Sequence, residues 1–260
     1  MTALSAVDRA LSKVPQATLA FWVIKILATT LGETGGDALS MQLKLGYAVA
    51  TLIFLAFFAV TVTAQIAARR YHAAFYWAVV VATTTVGTTT SDYIDRTLGL
   101  GYVVSSLMLL AGVIAMLVLW RRVTGHIAAD HVTGRTDESF YWIVILISNT
   151  LGTALGDFTA DTAGIGFGGG ALIFASLIAL VAAAYFFTRI PRAILFWAAY
   201  VLTRPLGATL GDTLTKPFAQ GGLNLSRIDS SLAIAAVMIV GVWLTGLRRP
   251  ALGTAARTGG

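Results

Sequence analysis

The chain has 260 residues, of which 57% are apolar and 12% are charged, and its mean hydropathy is +0.80. Soluble domains contain about 25% charged residues, so this composition excludes an ordinary soluble domain and indicates an integral membrane protein. The net charge is +6, and the absence of Cys excludes disulfides and thiolate metal sites.

Apolar runs of the length of a membrane-spanning helix, about 20 residues, recur along the whole chain. Transmembrane β-strands would be about 10 residues long and would alternate polar with apolar positions. The pattern predicts an all-α membrane protein with one polytopic domain over residues 1–260. The eight predicted spans are 18–38, 45–68, 74–93, 99–120, 139–158, 167–188, 193–213 and 229–247. No small-residue cleavage site ends a short apolar core, so we expect an uncleaved first helix and not a signal peptide.

Four tryptophans mark an internal repeat: Trp22, Trp77, Trp142 and Trp197. A Gly follows each Trp after 10 residues and an Asp follows it after 15, within the segments TTLGETGGD, TTVGTTTSD, NTLGTALGD and RPLGATLGD. The predicted repeats are 18–68, 73–121, 138–189 and 192–247. Each repeat holds two spans, so all four enter the membrane from the same side. They are therefore parallel helical hairpins around a pseudo-symmetry axis along the membrane normal.

The distribution of charge predicts the orientation. The side on which the repeats start carries 12 of the 18 basic residues, whereas eight of the 12 acids lie on the other side. Because cytoplasmic loops are rich in Lys and Arg, we expect both termini in the cytoplasm of a bacterium, with the chain in its inner membrane. The net charge is then a feature of topology and gives no indication of nucleic-acid binding.

The four Trp, the Gly and Asp that follow them, and the two spans per unit resemble a bacterial membrane family built of four tandem "repeats of unknown function". The resemblance covers essentially residues 18–247 and implies the architecture without implying an activity. Repeat four departs most from the others. Arg204-Pro205 replaces Thr-Thr there, and Ala208 stands where repeat one has Glu33.

The first span of each repeat carries a polar stripe over its last two turns. At 100° per residue, positions 8, 11, 12 and 15 after each Trp share one helix face. The polar residues on that face are Thr30, Glu33, Thr34, Asp37, Thr85, Thr88, Thr89, Asp92, Thr150, Thr153, Asp157, Thr209 and Asp212. Polar residues within spans face the bundle interior or a water-filled cavity. The stripe therefore predicts an acidic vestibule in the outer half of the membrane.

Two hypotheses explain the acids of this stripe. In the first, Glu33 and the four Asp bind a hard cation such as Mg²⁺, Mn²⁺, Ca²⁺ or Na⁺, or carry protons. In the second, the Thr and Gly allow close helix packing while each Asp caps the next turn. Packing explains the Gly and some of the Thr. It explains the repeated Asp less well, because Ser or Asn would cap a turn without charge.

Three further polar residues lie inside the spans. Lys25 is either a lysine that extends to the cytoplasmic interface or a counter-ion that exchanges its proton against a carboxylate. Arg204 is too deep to reach the interface, so we expect it to pair with an acid of a neighbouring repeat or with an anionic substrate. Asn149, at the equivalent position of repeat three, is a polar packing residue or part of a pathway.

Other charged residues are expected in the connectors. Four follow the motif Asp by three or four residues: Asp95, Arg96, Asp161 and Lys216. We expect them to be solvated in outer loops, or else to form the mouth of the vestibule. The three His all fall in polar connectors, which excludes an intramembrane His cluster: His72, His126 and His131.

The pattern favours a small secondary transporter or exporter of a cation, proton-coupled and with a divalent metal as one candidate substrate. The expected partners are the lipid bilayer and a small ion or small molecule, with no cofactor, and the oligomeric state is left open. No nucleotide-binding segment is present that would indicate an ATP-driven pump. The alternatives are a sensor or assembly subunit that transports nothing, or a membrane enzyme with acidic general acid/base groups. We expect no enzyme, because no catalytic His, Cys or nucleophile is recognisable.

Overall fold

The computed structural model describes residues 12–68, 70–127, 132 and 134–247, which form eight long helices and no strand. These are α1 Leu19–Asp37, α2 Tyr47–Ala67, α3 Ala73–Asp92, α4 Tyr102–Thr124, α5 Arg135–Asp157, α6 Gly166–Phe187, α7 Arg192–Thr215 and α8 Arg227–Leu247. The predicted all-α class is confirmed. His131 and some of the charged residues counted for the orientation lie outside the described residues; the charged ones are Asp8, Arg9, Arg69, Asp130, Arg248, Arg249 and Arg257.

The first helices of the four repeats form the centre of the molecule. α1, α3, α5 and α7 make a ring in which each packs on the next, and α7 closes on α1. Each second helix packs on the outside of this ring, against the first helix of the following repeat. In this way α2 lies on α3, α4 on α5, α6 on α7, and α8 returns to α1. Neighbouring repeats are thus interlocked around a closed ring, and α8 of repeat four packs on α1 of repeat one.

The inner and outer helices differ in what they bury. Over their most apolar stretches, α5 and α7 are 67% buried, whereas α2, α4, α6 and α8 are only 6–17% buried. The outer helices expose large apolar side chains, among them Leu52, Leu107, Leu180 and Trp243. Six of the described helices are long and apolar enough to cross a membrane. The remaining two, α1 and α3, belong to the polar central ring and have the exterior helices around them.

The Gly that follows each Trp by 10 residues sets how closely the inner helices approach. A Cβ on Gly32 would collide with Thr84, and one on Gly87 would lie 2.9 Å from the backbone carbon of Asn149. The same contact recurs between Gly152 and Arg204 and between Gly207 and Thr29. One position thus makes the same contact at all four interfaces, including the one that closes the ring. Small residues at such positions allow backbones to approach closely without lipid between them.

The four inner helices have their motif Asp at one end of the bundle, which we call the outer end after the predicted topology, and there they have a shared geometry that repeat four breaks. In repeats one to three a five-residue π-helical turn follows the motif Asp directly, at Ala38–Gln42, Tyr93–Thr97 and Phe158–Thr162. In repeat four α7 ends at Thr215, and the backbone of Lys216 is extended instead. π-Helical turns occur frequently at functional sites. The ring is therefore fourfold along most of its length and asymmetric at its outer end.

Substitution of Gly87 by Ala tests the close contact. The added Cβ meets backbone atoms of Asn149 and Thr150, which side-chain rotation cannot move away. We expect a loss of about 1–3 kcal/mol of stability, measured as thermal unfolding in detergent. The matched control is Gly112→Ala on α4, where the new Cβ would make an ordinary 3.5 Å contact with Ile147. Equal unfolding temperatures for the two variants would contradict this packing.

Candidate functional site: an ion-pair network on the axis

The interior of the ring is built from residues four apart. Positions 3, 7, 11 and 15 after each Trp form what we call the axial layers, and each of their residues is at most 3% exposed. From the Trp end these layers are Lys25, Val80, Ile145 and Tyr200; Thr29, Thr84, Asn149 and Arg204; Glu33, Thr88, Thr153 and Ala208; and Asp37, Asp92, Asp157 and Asp212. The centre of the molecule thus becomes more polar and more acidic toward the outer end.

Arg204 joins all four repeats at the axis. Its Nη2 atom donates hydrogen bonds to the hydroxyls of Thr88 and Thr153, at 2.5 and 2.7 Å, and to Oε2 of Glu33 at 2.9 Å. These three acceptors come from repeats two, three and one, at the same repeat position. Repeat four has Ala208 there, on the same helix as Arg204. The prediction that Arg204 pairs with an acid of another repeat is confirmed.

The four motif Asp are held at the outer end by basic residues that bridge them in pairs. Arg96 contacts Asp92 at 2.8 Å and Asp157 at 3.2 Å. Lys216 lies 3.2 Å from Asp212 and 3.5 Å from Asp37. These carboxylates are therefore neither free nor only solvated, because each has a cationic partner from its own repeat or a neighbouring one.

A cluster of three carboxylates lies at the junction of repeats one and four. One oxygen from each of Glu33, Asp37 and Asp212 falls within 4.8 Å of the others, and all three side chains are buried. Arg227, at the start of α8, adds a contact of 3.4 Å to Asp37. Oxygen ligands on opposite sides of a Ca²⁺ ion are about 4.8 Å apart. The cluster is therefore the one predicted acidic group whose described geometry fits a single hard cation.

Lys216 keeps a positive charge beside this cluster. Burial opposes that charge, but the carboxylates of Asp212, Asp37 and Asp157 outweigh it and hold the pKa of Lys216 well above its ordinary value. Its contacts of 3.2 and 3.5 Å are nonetheless longer than the 2.7–2.9 Å typical of a close charged hydrogen bond. The ammonium of Lys216 thus lies beside Asp37 and Asp212 without making short hydrogen bonds to them.

Lys25 does not take the first of its two predicted roles. Its side chain is fully buried, so it does not extend to an interface, and its Nζ atom has no hydrogen-bond partner in the part of the chain that the structure describes. The ammonium instead lies over the ring of Tyr200, 4.3 Å from its centroid. A cation over an aromatic face is an attractive contact, but one weaker than a carboxylate would provide. One axial layer, which holds Arg204, separates Lys25 from the layer of Glu33.

The predicted polar stripe coincides with the axial layers at positions 11 and 15 after each Trp, whereas its positions 8 and 12 lie outside those layers. Thr88, Thr153 and Asn149 contact the interior, where Asn149 donates to Thr83 at 3.0 Å. Another set of stripe hydroxyls donates back to carbonyls of its own helix: Thr30, Thr85, Thr89 and Thr150. Thr34 instead contacts Ser231 of α8 at 2.8 Å. The helices pack along their i, i+4 rows, so the axial face follows every fourth residue and departs from the 100° count.

Three basic residues contact the motif Asp: Arg96, Lys216 and Arg227. The first two were expected either as solvated loop charges or at the mouth of the vestibule, and each stands four residues after a motif Asp, a spacing that favours an ion pair on a helix. Arg227 was not predicted. Nothing in the sequence relates Arg227 to Asp37, because 190 positions separate them. Asp95, beside Ser91, and Lys216 are buried, whereas Arg96 and Asp161 are exposed.

A second buried ion pair closes the opposite end of the bundle. Lys13 contacts Glu138 at 2.7 Å, and Gln65 donates to the same carboxylate at 3.2 Å. His126 is exposed and lies 3.6 Å from Asp137, which accepts a hydrogen bond from Trp120. This end is therefore held by contacts among the start of α1, α2 and α5, away from the acidic cluster.

Fold and site together define an all-helical bundle of four tandem two-helix units with an apolar exterior and a charged axis, compatible with a multi-pass membrane protein. The chain belongs to the family of the "Repeat of Unknown Function (DUF347)", whose model matches residues 20–71, 75–126, 140–190 and 195–249. Each match contains one inner and one outer helix, which confirms the four predicted tandem repeats. Comparison with curated proteins and with solved structures gives no significant match.

Removal of Arg204 tests the ion pair on the axis. Arg204→Met leaves the buried carboxylate of Glu33 without its cation, so we expect a loss of about 3–5 kcal/mol of stability. The double variant Arg204→Met, Glu33→Gln removes both charges and should recover most of that loss. Denaturant unfolding in detergent measures both effects. A double variant no more stable than Arg204→Met would show that the two side chains do not act as a pair.

Proposed function

We propose that this protein is a small secondary transporter of a cation, with a divalent metal ion as the leading candidate, and that Glu33, Asp37 and Asp212 bind the ion. The observation that carries the proposal is the convergence of these three buried carboxylates at the junction of repeats one and four. Carboxylate oxygens are the ligands that hard cations prefer. Ionisable residues at membrane depth generally belong to substrate or ion pathways.

The bases around the cluster support reversible binding. Each carboxylate of the cluster already has a cationic side chain: Arg204 on Glu33, Lys216 on Asp212, and both Lys216 and Arg227 on Asp37. An arriving ion would therefore exchange with protein cations. The looser contacts of Lys216 and Arg227 are the ones to break first, and Arg227 is already 20% exposed. A site of this kind stays neutralised when it is empty, which avoids the cost of uncompensated buried carboxylates.

The position of the cluster suggests access from the outer end and closure toward the other. Asp37 and Asp212 lie in the last axial layer, next to the connectors that carry Lys216 and Arg227. Beyond Glu33 the axis is occupied by Arg204 and then by the fully buried layer of Lys25 and Tyr200. Transport requires that these inner layers open in a second state, because alternating access exposes one site to the two sides in turn.

We further propose that the protein lies in a bacterial inner membrane with both termini in the cytoplasm. Six apolar helices and the excess of basic residues at the ends where the repeats start support this orientation. The outer helices would face lipid, and the polar ring would be shielded from it.

Flux measurements test the ion site. In proteoliposomes, Asp37→Asn and Glu33→Gln each remove one charged ligand, and we expect cation affinity to fall at least about tenfold, equivalent to about 1.4 kcal/mol. Uptake of Mn²⁺, Mg²⁺, Ca²⁺ and Na⁺ is measured against concentration for each variant. The matched control is Asp161→Asn, which removes an exposed acid from the same side of the bundle. Unchanged flux in Asp37→Asn and Glu33→Gln would overturn the assignment of the site.

Single-cysteine labelling tests the orientation, because the native chain contains no Cys. Ala163 and Thr188 are exposed residues that flank the two ends of α6. In intact cells a membrane-impermeant maleimide should label Ala163→Cys, whereas Thr188→Cys should react only after the membrane is opened. The reverse pattern would place the termini outside the cytoplasm.

A further inference from the structure

We propose that Lys25 is the group whose proton is exchanged for the transported cation, and that Arg204 couples cation binding at the carboxylate cluster to proton loss at Lys25. This inference rests on the proposed transport function and assigns the coupling residue within it. Binding of a cation to Glu33, Asp37 and Asp212 would release Arg204 from Glu33. The guanidinium charge would then act more strongly on Lys25, which would lose its proton.

Lys25 has the environment that such a role requires. It is fully buried, and its Nζ atom lacks a hydrogen-bond partner among the described residues. The other basic residues of the axis each contact at least one carboxylate: Arg96, Arg204, Lys216 and Arg227. An ammonium held only over an aromatic ring is weakly compensated, so a small change in its surroundings decides whether it keeps its proton.

Arg204 is positioned to connect the cluster with Lys25. All three of its hydrogen bonds use one nitrogen, Nη2, whereas its Nε and Nη1 atoms have no partner among the described residues. The guanidinium is therefore held through one of its three nitrogens. Arg204 also lies in the axial layer next to that of Lys25, between Lys25 and the layer of Glu33. A cation at Glu33 replaces the charge that Arg204 supplies there and leaves the guanidinium uncompensated.

Among the described residues, the helices packed on α1 carry few titratable or charged groups around Lys25. On α7 these groups are Tyr200 and Arg204. On α3 the titratable residue nearest to the repeat position equivalent to Lys25 is Tyr76. Tyr76 pairs with the hydroxyl of Tyr141 at 2.8 Å, from α5 across the ring. The charged residues of α8 are Arg227 and Asp229, which belong to its first turn at the outer end. Arg204 is thus the residue through which cluster occupancy reaches Lys25.

The exchange balances atoms: one cation enters the cluster, the N–H bond of the Lys25 ammonium breaks, the lone pair stays on Nζ, and one proton passes to water. A monovalent ion leaves the net charge of the protein unchanged, and a divalent ion raises it by one. Each cation bound therefore releases one proton from Lys25. Because binding releases a proton, affinity rises with pH while Lys25 is protonated in the unloaded protein.

Proton release on cation binding tests the inference directly. Purified protein in weakly buffered detergent is titrated with Mn²⁺ while a pH indicator reports protons and Mn²⁺ binding is measured in parallel. In the range where Lys25 titrates, we expect the apparent Kd of the wild type to fall about tenfold per pH unit. Lys25→Met, which places an apolar side chain at a buried position, should bind Mn²⁺ and release about one proton fewer per ion.

Two further variants separate coupling from structure. Lys25→Arg keeps a permanent charge, so it should bind Mn²⁺ more weakly than Lys25→Met and likewise lose the release of one proton. Lys44→Met removes an exposed lysine near the outer end of repeat one and should release protons as the wild type does.

The outcomes distinguish the two proposals. Wild-type proton release in Lys25→Met would overturn the role of Lys25 and leave the cation site standing. Equal Mn²⁺ affinity in Lys25→Met and Lys25→Arg would overturn the electrostatic link through Arg204. If the wild type binds none of Mn²⁺, Mg²⁺, Ca²⁺ and Na⁺, the proposed function fails and the inference fails with it.

Discussion

A guanidinium buried at the centre of a helical bundle requires hydrogen bonds and a counter-charge from the helices around it, because neither water nor lipid can supply them. Arg204 obtains both from the other three repeats, through Glu33, Thr88 and Thr153. This requirement fixes the relative height of all four inner helices. The glycines that follow each Trp satisfy it by letting the helices approach until these short hydroxyls reach the axis. Close packing of the inner helices and the hydrogen bonding of the buried guanidinium thus depend on each other.

The fourfold repeat determines how the inner helices pack, and the positions at which the repeats differ carry the charged residues of the site. Four equivalent glycine contacts close the ring, and four equivalent Asp surround its outer end. Two repeat positions differ in charge between the repeats. Arg204 stands where the other repeats have Thr or Asn, and Glu33 stands where the other repeats have Thr or Ala. Repeat four also lacks the π-helical turn, so Lys216 extends to the acids of repeats one and four. Repeats one and four therefore share the cluster proposed to bind the cation.

The sequence predicts the eight helices and the four repeats because both depend on local patterns, namely apolar length and the spacing of Trp, Gly and Asp. It predicts that the acids turn inward, but it assigns the wrong neighbours to the axis at Thr30 and Thr85, since helix tilt is a property of packing. Ion pairs between helices of different repeats are harder still to predict from the sequence. The contact of Arg227 with Asp37 depends on α8 returning to α1, and the pairing of Arg204 with Glu33 depends on α7 closing on α1.

The most direct test of the central claim is the position of a bound ion, determined by anomalous diffraction from crystals grown with Mn²⁺. The account predicts one Mn²⁺ peak among the carboxylates of Glu33, Asp37 and Asp212, with Arg204 no longer bonded to Glu33. Saturating Mn²⁺ that gives no peak at this cluster, with Arg204 still bonded to Glu33, would contradict the account and identify the acids as partners of a purely structural ion-pair network.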